Sequence, residues 1–181
     1  MRIFTAFPVS PEVVAEVIRL QREIKFLNKK LPVRWTTAEN LHVTLEFLGE
    51  LNEEQLRQVQ DILRTATMGR PAFNYWLDNL DGFPNLARPK IITLKIGEEH
   101  YASRKLRDDI FAKLFAARLI GETHTFTPHL TIGRLKKDWA GIVFPAKINQ
   151  LTWPVERLDL FKSELRHGGP VYTLIESFKL S

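Results

Sequence analysis

The chain carries the same strand–helix–strand pattern twice, and each copy ends in a His-x-Thr-apolar tetrapeptide. The first histidine lies 40 residues after a predicted strand that begins at Arg2. The second lies 39 residues after one that begins at Lys90. Equivalent positions in two successive units indicate an internal duplication. The two tetrapeptides are His42-Val43-Thr44-Leu45 and His129-Leu130-Thr131-Ile132.

Hydrophobic periodicity places the other elements. Alternation of apolar residues predicts strands near 2–8, 41–48, 73–80, 90–96, 127–134, 155–162 and 171–179. Apolar residues spaced by three and four predict helices over about 11–30, 52–68 and 98–119. No linker or charge run separates the halves. We therefore expect a pseudo-symmetric, bilobal α+β fold, with antiparallel-rich sheets flanked by helices around a central cleft. Residues 1–181 would form a single domain of two interleaved lobes, one carrying His42 and the other His129.

Strand geometry predicts where the tetrapeptides point. Residues i and i+2 of a strand share a face, so each motif aims one imidazole and one hydroxyl the same way. The other face of the first strand, predicted to face the core, consists of Leu41, Val43, Leu45 and Phe47. Both His/Thr pairs then point toward solvent or a cleft. Two surface strands with incidental polar faces are the alternative.

Two histidines with two hydroxyls suit the opening of a cyclic phosphodiester. One imidazole takes a proton from water and the other protonates the leaving ribose oxygen. Attack and departure are in line, so the two groups must stand on opposite sides of phosphorus, as two strands facing across a groove would place them. Threonine hydroxyls can hold the non-bridging oxygens. This chemistry needs no metal and no cofactor, and the sequence shows no Asp/His ligand cluster for a bimetal hydrolase.

The amino-acid composition excludes several classes of site and favours certain partners. The chain has no cysteine, which excludes disulfides, cysteine nucleophiles and cysteine zinc sites. The formal charge of +5 favours anionic partners such as nucleic acid, although the basic residues are scattered. The N-terminus does not resemble a signal peptide and no stretch approaches a membrane span. We expect a cytoplasmic protein that does not enter membranes and is a monomer.

The sequence resembles the two-histidine phosphoesterase superfamily and, within it, the RNA 2′,3′-cyclic phosphodiesterases formerly called 2′-5′ RNA ligases. The similarity runs nearly end to end. Besides the two motifs it includes RIFTAFPVS, VRWTTAENLHVTLEFLGE, FPNLARPKIITLKI, FTPHLTIGR and SELRHGGPVYTLIESFKL. The paired tetrapeptides at matching positions are the specific part of the resemblance.

The resemblance implies roles for individual residues. His42 would be the proton donor and His129 the proton acceptor, while Thr44 and Thr131 would bind the phosphate. Spacing alone does not say which histidine is acid and which is base. Arg134 resembles the family's phosphate-contacting arginine. A regular strand would put it on the face opposite His129, unless Gly133 allows a bulge. The substrates implied are RNA ends or cyclic nucleotides, and the product is a 2′-phosphomonoester.

Other functions and residues stay open at this point. A 2′-5′ RNA ligase would run the reverse chemistry in the same site, and a non-catalytic RNA-binding module would not need an acid–base pair. Glu46 shares the predicted face of His42 and either orients it or is an ordinary exposed residue. Ordinary structural positions are expected for a further set of residues, with base stacking a lesser possibility for its aromatic members: His100, His124, His167, Trp35, Phe83, Trp139 and Trp153.

Overall fold

The computed structural model of the protein describes residues 1–121, 125–167 and 169–180. Within these residues lie nine strands and three α-helices, with short 3₁₀ turns before the third strand and the third helix. In chain order they are β1 (Arg2–Pro8), α1 (Pro11–Leu27), β2 (Val33–Trp35), β3 (His42–Glu50), α2 (Glu53–Thr67), β4 (Phe73–Phe83), β5 (Ile91–Glu98), α3 (Ala102–Ala116), β6 (His129–Leu135), β7 (Thr152–Val155), β8 (Arg157–Arg166) and β9 (Gly169–Lys179).

All nine strands belong to one antiparallel sheet. Its order is β7-β4-β5-β6-β3-β1-β8-β9, and β2 pairs separately with β6. The two motif strands, β3 and β6, are central neighbours, with Val43 opposite Leu130. The first strands of the two repeated units, β1 and β5, flank them on either side. This arrangement confirms the pseudo-symmetric α+β fold. The motif strands lie side by side, however, and not on the facing walls of a groove.

Local sequence fixes the helix starts. The Ser10 side chain accepts a hydrogen bond from the Val13 amide, and Pro11 occupies the first turn of α1. At α2, Asn52 and Gln55 form a reciprocal capping box. The apolar stripe of α1 is buried in the core against the sheet, and Gln21 donates to the carbonyl of Ile132 in β6 at 2.9 Å. Helix α1 therefore covers the face of the central strands opposite the histidines.

Four details differ from the sequence prediction. The third helix begins at Ala102, because residues 100 and 101 take positive φ values of 51° and 56°. The strand predicted near 155–162 is two strands, since β7 pairs with β4 and β8 pairs with β1. Strand β2 was not predicted. Phe47 was predicted to face the core and is 65% exposed. Among the described residues, no helix is long and apolar enough to cross a membrane.

Candidate active site

The central strand pair brings both motifs together. Val43 and Leu130 are direct partners and both are buried in the core. Since neighbouring residues of a strand point to opposite faces, the flanking histidine and threonine of each strand emerge on the other face of the sheet. His42, Thr44, His129 and Thr131 are all half-buried there. The predicted direction of the four side chains is confirmed.

His42 lies in an aromatic enclosure. Its Nε2 is 3.1 Å from the Thr44 hydroxyl. Its ring centroid lies 5.1 Å from that of Phe4, 5.3 Å from Tyr172 and 6.3 Å from Phe161. These rings come from β1, β9 and β8, so residues far apart in the sequence remove water from one side of the imidazole.

This enclosure controls the protonation of His42. Burial lowers the pKa of the His42 imidazole to about 4, and the charges of His129 and Arg134 act in the same direction. A hydrogen bond to the Asn40 backbone opposes the shift. This lowered pKa makes the neutral form of His42 the predominant one at pH 7.

His129 has a different environment. Its Nδ1 donates to the carbonyl of Thr127 at 2.8 Å, because a carbonyl oxygen only accepts. The bond fixes the ring and leaves Nε2 directed away from the backbone. The Phe83 ring packs edge-on at 5.2 Å, and Lys95 is the direct cross-strand partner of His129. Lys95 also lies 3.4 Å from a carboxylate oxygen of Asp81.

A bulge aims Arg134 at the site. In the β5–β6 pairing Ile92 faces Gly133 whereas Thr93 faces Thr131, so β6 carries one extra residue at Ile132. The bulge reverses the alternation and puts Arg134 on the same face as Thr131. Burial raises the pKa of the Tyr172 hydroxyl and lowers that of the His42 imidazole, and the positive charge of Arg134 opposes the first shift and adds to the second. The structure therefore contains the bulge near Gly133 that the sequence analysis required for Arg134 to share a face with the site.

The same irregularity occurs in β3 and exposes Phe47. Thr5 faces Glu46 and Ala6 faces Thr44, so Leu45 is the extra residue. Phe47 therefore emerges on the site face, with its ring 5.9 Å from Phe4. It precedes Arg134 by 87 residues, the same spacing that separates the two histidines. That repeat spacing identifies Phe47 as the counterpart of Arg134 and was the sequence signal available for it.

A groove extends from the site past Phe47. Its volume is about 820 Å³, and it runs from Thr44 and His129 along β3. Glu46 does not orient His42. It forms an ion pair with Arg107 of α3 at 2.8 Å, and this pair lies in the wall of the groove. Phe111 and Phe126 also line the groove.

The remaining candidates lie apart from this centre or support it indirectly. His100 is exposed and His167 lies in the turn before β9, while His124 falls outside the described residues. Trp153 is buried, and its indole donates to the Pro8 carbonyl at 3.3 Å. Phe83 differs from the expectation because it contacts His129. In the described part of the chain, no three His, Asp or Glu side chains are grouped to hold a metal ion.

Comparison with known proteins places this architecture in a family. The sequence model described as LigT like Phosphoesterase matches residues 7–93. A Thermus thermophilus protein named RNA 2′,3′-cyclic phosphodiesterase is 32% identical over 99% of this chain and 90% of its own length. One of the same name from Thermotoga maritima is 26% identical over 97% and 93%.

Solved structures agree with the sequence relatives. A crystal structure of a Thermus thermophilus protein superposes with a TM-score of 0.84 at 30% identity, covering 99% of this chain and 98% of that one. Escherichia coli LigT complexed with 3′-AMP has a TM-score of 0.82 at 21% identity, with coverage of 99% and 98%, and shares the fold. One His/Thr pair per half of a duplicated α+β fold defines a two-histidine phosphoesterase. The chain belongs to the LigT-like phosphoesterase family.

Proposed function

We propose that the protein hydrolyses RNA 2′,3′-cyclic phosphate ends, or the corresponding cyclic nucleotides, to 2′-phosphomonoesters by metal-independent acid–base catalysis. The observation that carries this proposal is the placement of two imidazoles and two hydroxyls on one sheet face around the Val43–Leu130 pair. Sequence relatives over nearly the full length bear the name of this activity. Water would attack phosphorus, the bond to the 3′ oxygen would break, and the phosphate would remain on the 2′ oxygen.

We assign the acceptor role to His129. With Nδ1–H bonded to the Thr127 carbonyl, the neutral ring carries its lone pair on Nε2, where it can take the proton from water. The resulting imidazolium keeps the same backbone hydrogen bond, so the ring does not need to turn during the reaction.

We assign the donor role to His42, which gives its proton to the leaving 3′ oxygen. The low pKa of His42 means that this proton is acquired together with the substrate, whose phosphate anion offsets the burial and the charge of Arg134. An imidazolium in such an enclosure gives up its proton readily. Thr44 and Thr131 would donate to the non-bridging oxygens, and Arg134 would pair with their charge.

The pseudo-symmetry indicates where the terminal nucleobase of the substrate would bind. Phe47 presents an exposed ring at the end of the site opposite Arg134, beside the groove. We propose that the terminal nucleobase stacks on this ring, because stacking is the usual way in which proteins bind single-stranded RNA.

One chain contributes both motifs to one sheet, and we therefore propose a single bilobal domain that acts as a monomer. We also propose that the protein is cytoplasmic. Light scattering after size exclusion tests the monomer.

The decisive assay uses RNA ending in a 2′,3′-cyclic phosphate, with EDTA present and with identification of the product isomer. A 2′-phosphomonoester supports the proposal, while binding without turnover would instead indicate an RNA-binding module. A substrate whose 3′ oxygen is replaced by sulfur separates the two roles, because a thiolate leaves without protonation. The sulfur substrate should restore His42→Ala and not His129→Ala, and the reverse result would exchange the two roles.

A further inference from the structure

Two arginines stand directly opposite each other beside the site. Arg34 of β2 is the cross-strand partner of Arg134 of β6, and both side chains are exposed. Like charges at directly opposed positions of a sheet repel each other. The Arg34 guanidinium also reaches the start of β9, since a Cβ placed on Gly169 would lie 3.9 Å from its Nη1. The Arg34 guanidinium thus lies beside β9, the strand that carries Tyr172, and Arg134 is its cross-strand neighbour.

Further cations continue from this pair. The Lys90 carbonyl accepts from the Leu135 amide at 2.9 Å, and the Lys136 amide donates to Pro32 at 2.8 Å, which holds both lysines at the end of β6. Arg88 and Lys90 line a pocket of about 470 Å³ that has one carboxylate, Asp138, and the half-buried indole of Trp139. We call the four cations other than Arg134 the upstream tract: Arg34, Arg88, Lys90 and Lys136.

The members of the upstream tract form no ion pair within the part of the chain that the structure describes. Ion pairs elsewhere in the described residues involve the cations of other surfaces, and no member of the tract has a carboxylate within 4.0 Å among residues 1–121, 125–167 and 169–180. Four cations with a single carboxylate nearby, that of Asp138, attract a polyanion.

The geometry of a nucleotide matches the two ends of the site. In a ribose 2′,3′-cyclic phosphate, the base extends from the carbon next to C2′ and the 5′ chain from the carbon next to C3′. The base and the preceding phosphate therefore leave the cyclic phosphate in opposite directions. Strands β3 and β6 are antiparallel, so Phe47 and Arg134 also lie in opposite directions from the Val43–Leu130 pair. A base on Phe47 directs the preceding phosphate toward Arg34.

We propose that the upstream tract binds the internucleotide phosphates on the 5′ side of the terminal nucleotide. The ligand class is single-stranded RNA of several nucleotides, and Arg34 contacts the first of its internucleotide phosphates. This proposal rests on the proposed function. It implies that the enzyme prefers polynucleotide ends to cyclic mononucleotides, which lack these phosphates.

The test compares kcat/KM for a hexanucleotide ending in a 2′,3′-cyclic phosphate with kcat/KM for the matching cyclic mononucleotide. Arg34→Ala should lower the ratio of the two values roughly tenfold, as expected for loss of one charge-assisted hydrogen bond. Adding Lys90→Ala to Arg34→Ala should lower this ratio further. Matched controls are Arg22→Ala and Lys25→Ala, at exposed cations of α1 on the opposite face of the sheet. They should leave the ratio at the wild-type value.

Salt provides a second readout. Each phosphate contact released from a single strand changes the slope of log affinity against log salt by about 0.7, so binding of the hexanucleotide product should weaken steeply with salt. Arg34→Ala should make that slope shallower by about 0.7. Failure of the wild type to hydrolyse either substrate would overturn the proposed function. Hydrolysis of both with equal kcat/KM, or a ratio and salt slope unchanged by Arg34→Ala, would overturn the upstream tract alone.

Discussion

The aromatic enclosure of His42 makes the stability of the protein depend on pH in a defined window. Because burial lowers its pKa from 6.5 to about 4, the unfolded chain binds a proton on this residue at a higher pH than the folded protein does. The stability that His42 contributes is complete above pH 6.5 and is lost as the pH falls toward 4. The free energy of unfolding should fall by roughly 2 kcal/mol at pH 5, and by roughly 3 kcal/mol below pH 4, through His42 alone.

Urea unfolding of the wild type and of His42→Gln, measured from pH 7.5 to pH 4.5, isolates this contribution. Other titrating groups act equally on both proteins and cancel in the difference. The wild type should therefore lose stability relative to the variant as the pH falls. His100→Gln, at an exposed histidine, is the matched control and should keep the wild-type dependence. Parallel curves for the wild type and His42→Gln would refute the enclosure of a neutral imidazole by Phe4, Phe161 and Tyr172.

Three further predictions concern the grip on substrate. Arg134→Ala should weaken binding of an RNA that ends in a cyclic phosphate roughly tenfold, because one charge-assisted contact is lost. Binding of an RNA that ends in a hydroxyl should weaken much less. Titration calorimetry with both RNAs checks this. Thr44→Ala or Thr131→Ala should each lower kcat by less than either histidine substitution, since only one hydrogen bond to phosphate is removed. A steady-state assay in which a threonine variant loses as much kcat as a histidine variant would contradict this prediction. Phe47→Ala should raise KM for a cyclic mononucleotide roughly tenfold while Phe47→Tyr stays near wild type; an unchanged KM in both would exclude stacking.

Local pattern was sufficient to predict most of the elements and the direction of the motifs. Alternation in a strand fixes which side chains share a face, and the apolar Val43 and Leu130 therefore identified the polar face that carries the histidines. Helix starts were equally local, because Ser10 and Asn52 cap their own helices. The duplication correctly indicated pseudo-symmetric halves, since two copies of one pattern bury equivalent surfaces.

Long-range pairing was beyond the reach of the sequence pattern. Phe47 was assigned to the core because regular alternation places it with Leu45, and only the pairing with β1 reveals the extra residue that reverses its direction. Strand β2 has three residues and is stabilised by its contact with β6, where a Cβ on Gly133 would lie 2.7 Å from a Val33 methyl group. The enclosure of His42 depends on Tyr172, which lies 130 residues away and gives no local signal.

The central claim is that two histidines act as one acid–base unit without a metal. The direct measurement is kcat on RNA ending in a 2′,3′-cyclic phosphate, in EDTA, for the wild type, His42→Ala, His129→Ala and the double variant. Each single substitution should lower kcat by about 10²–10⁴, the range for loss of one general acid or base. The double variant should be little worse than either single one, because groups that act together are not additive. Near-normal turnover in either single variant, or loss of wild-type activity in EDTA with rescue by a divalent cation, would contradict the account.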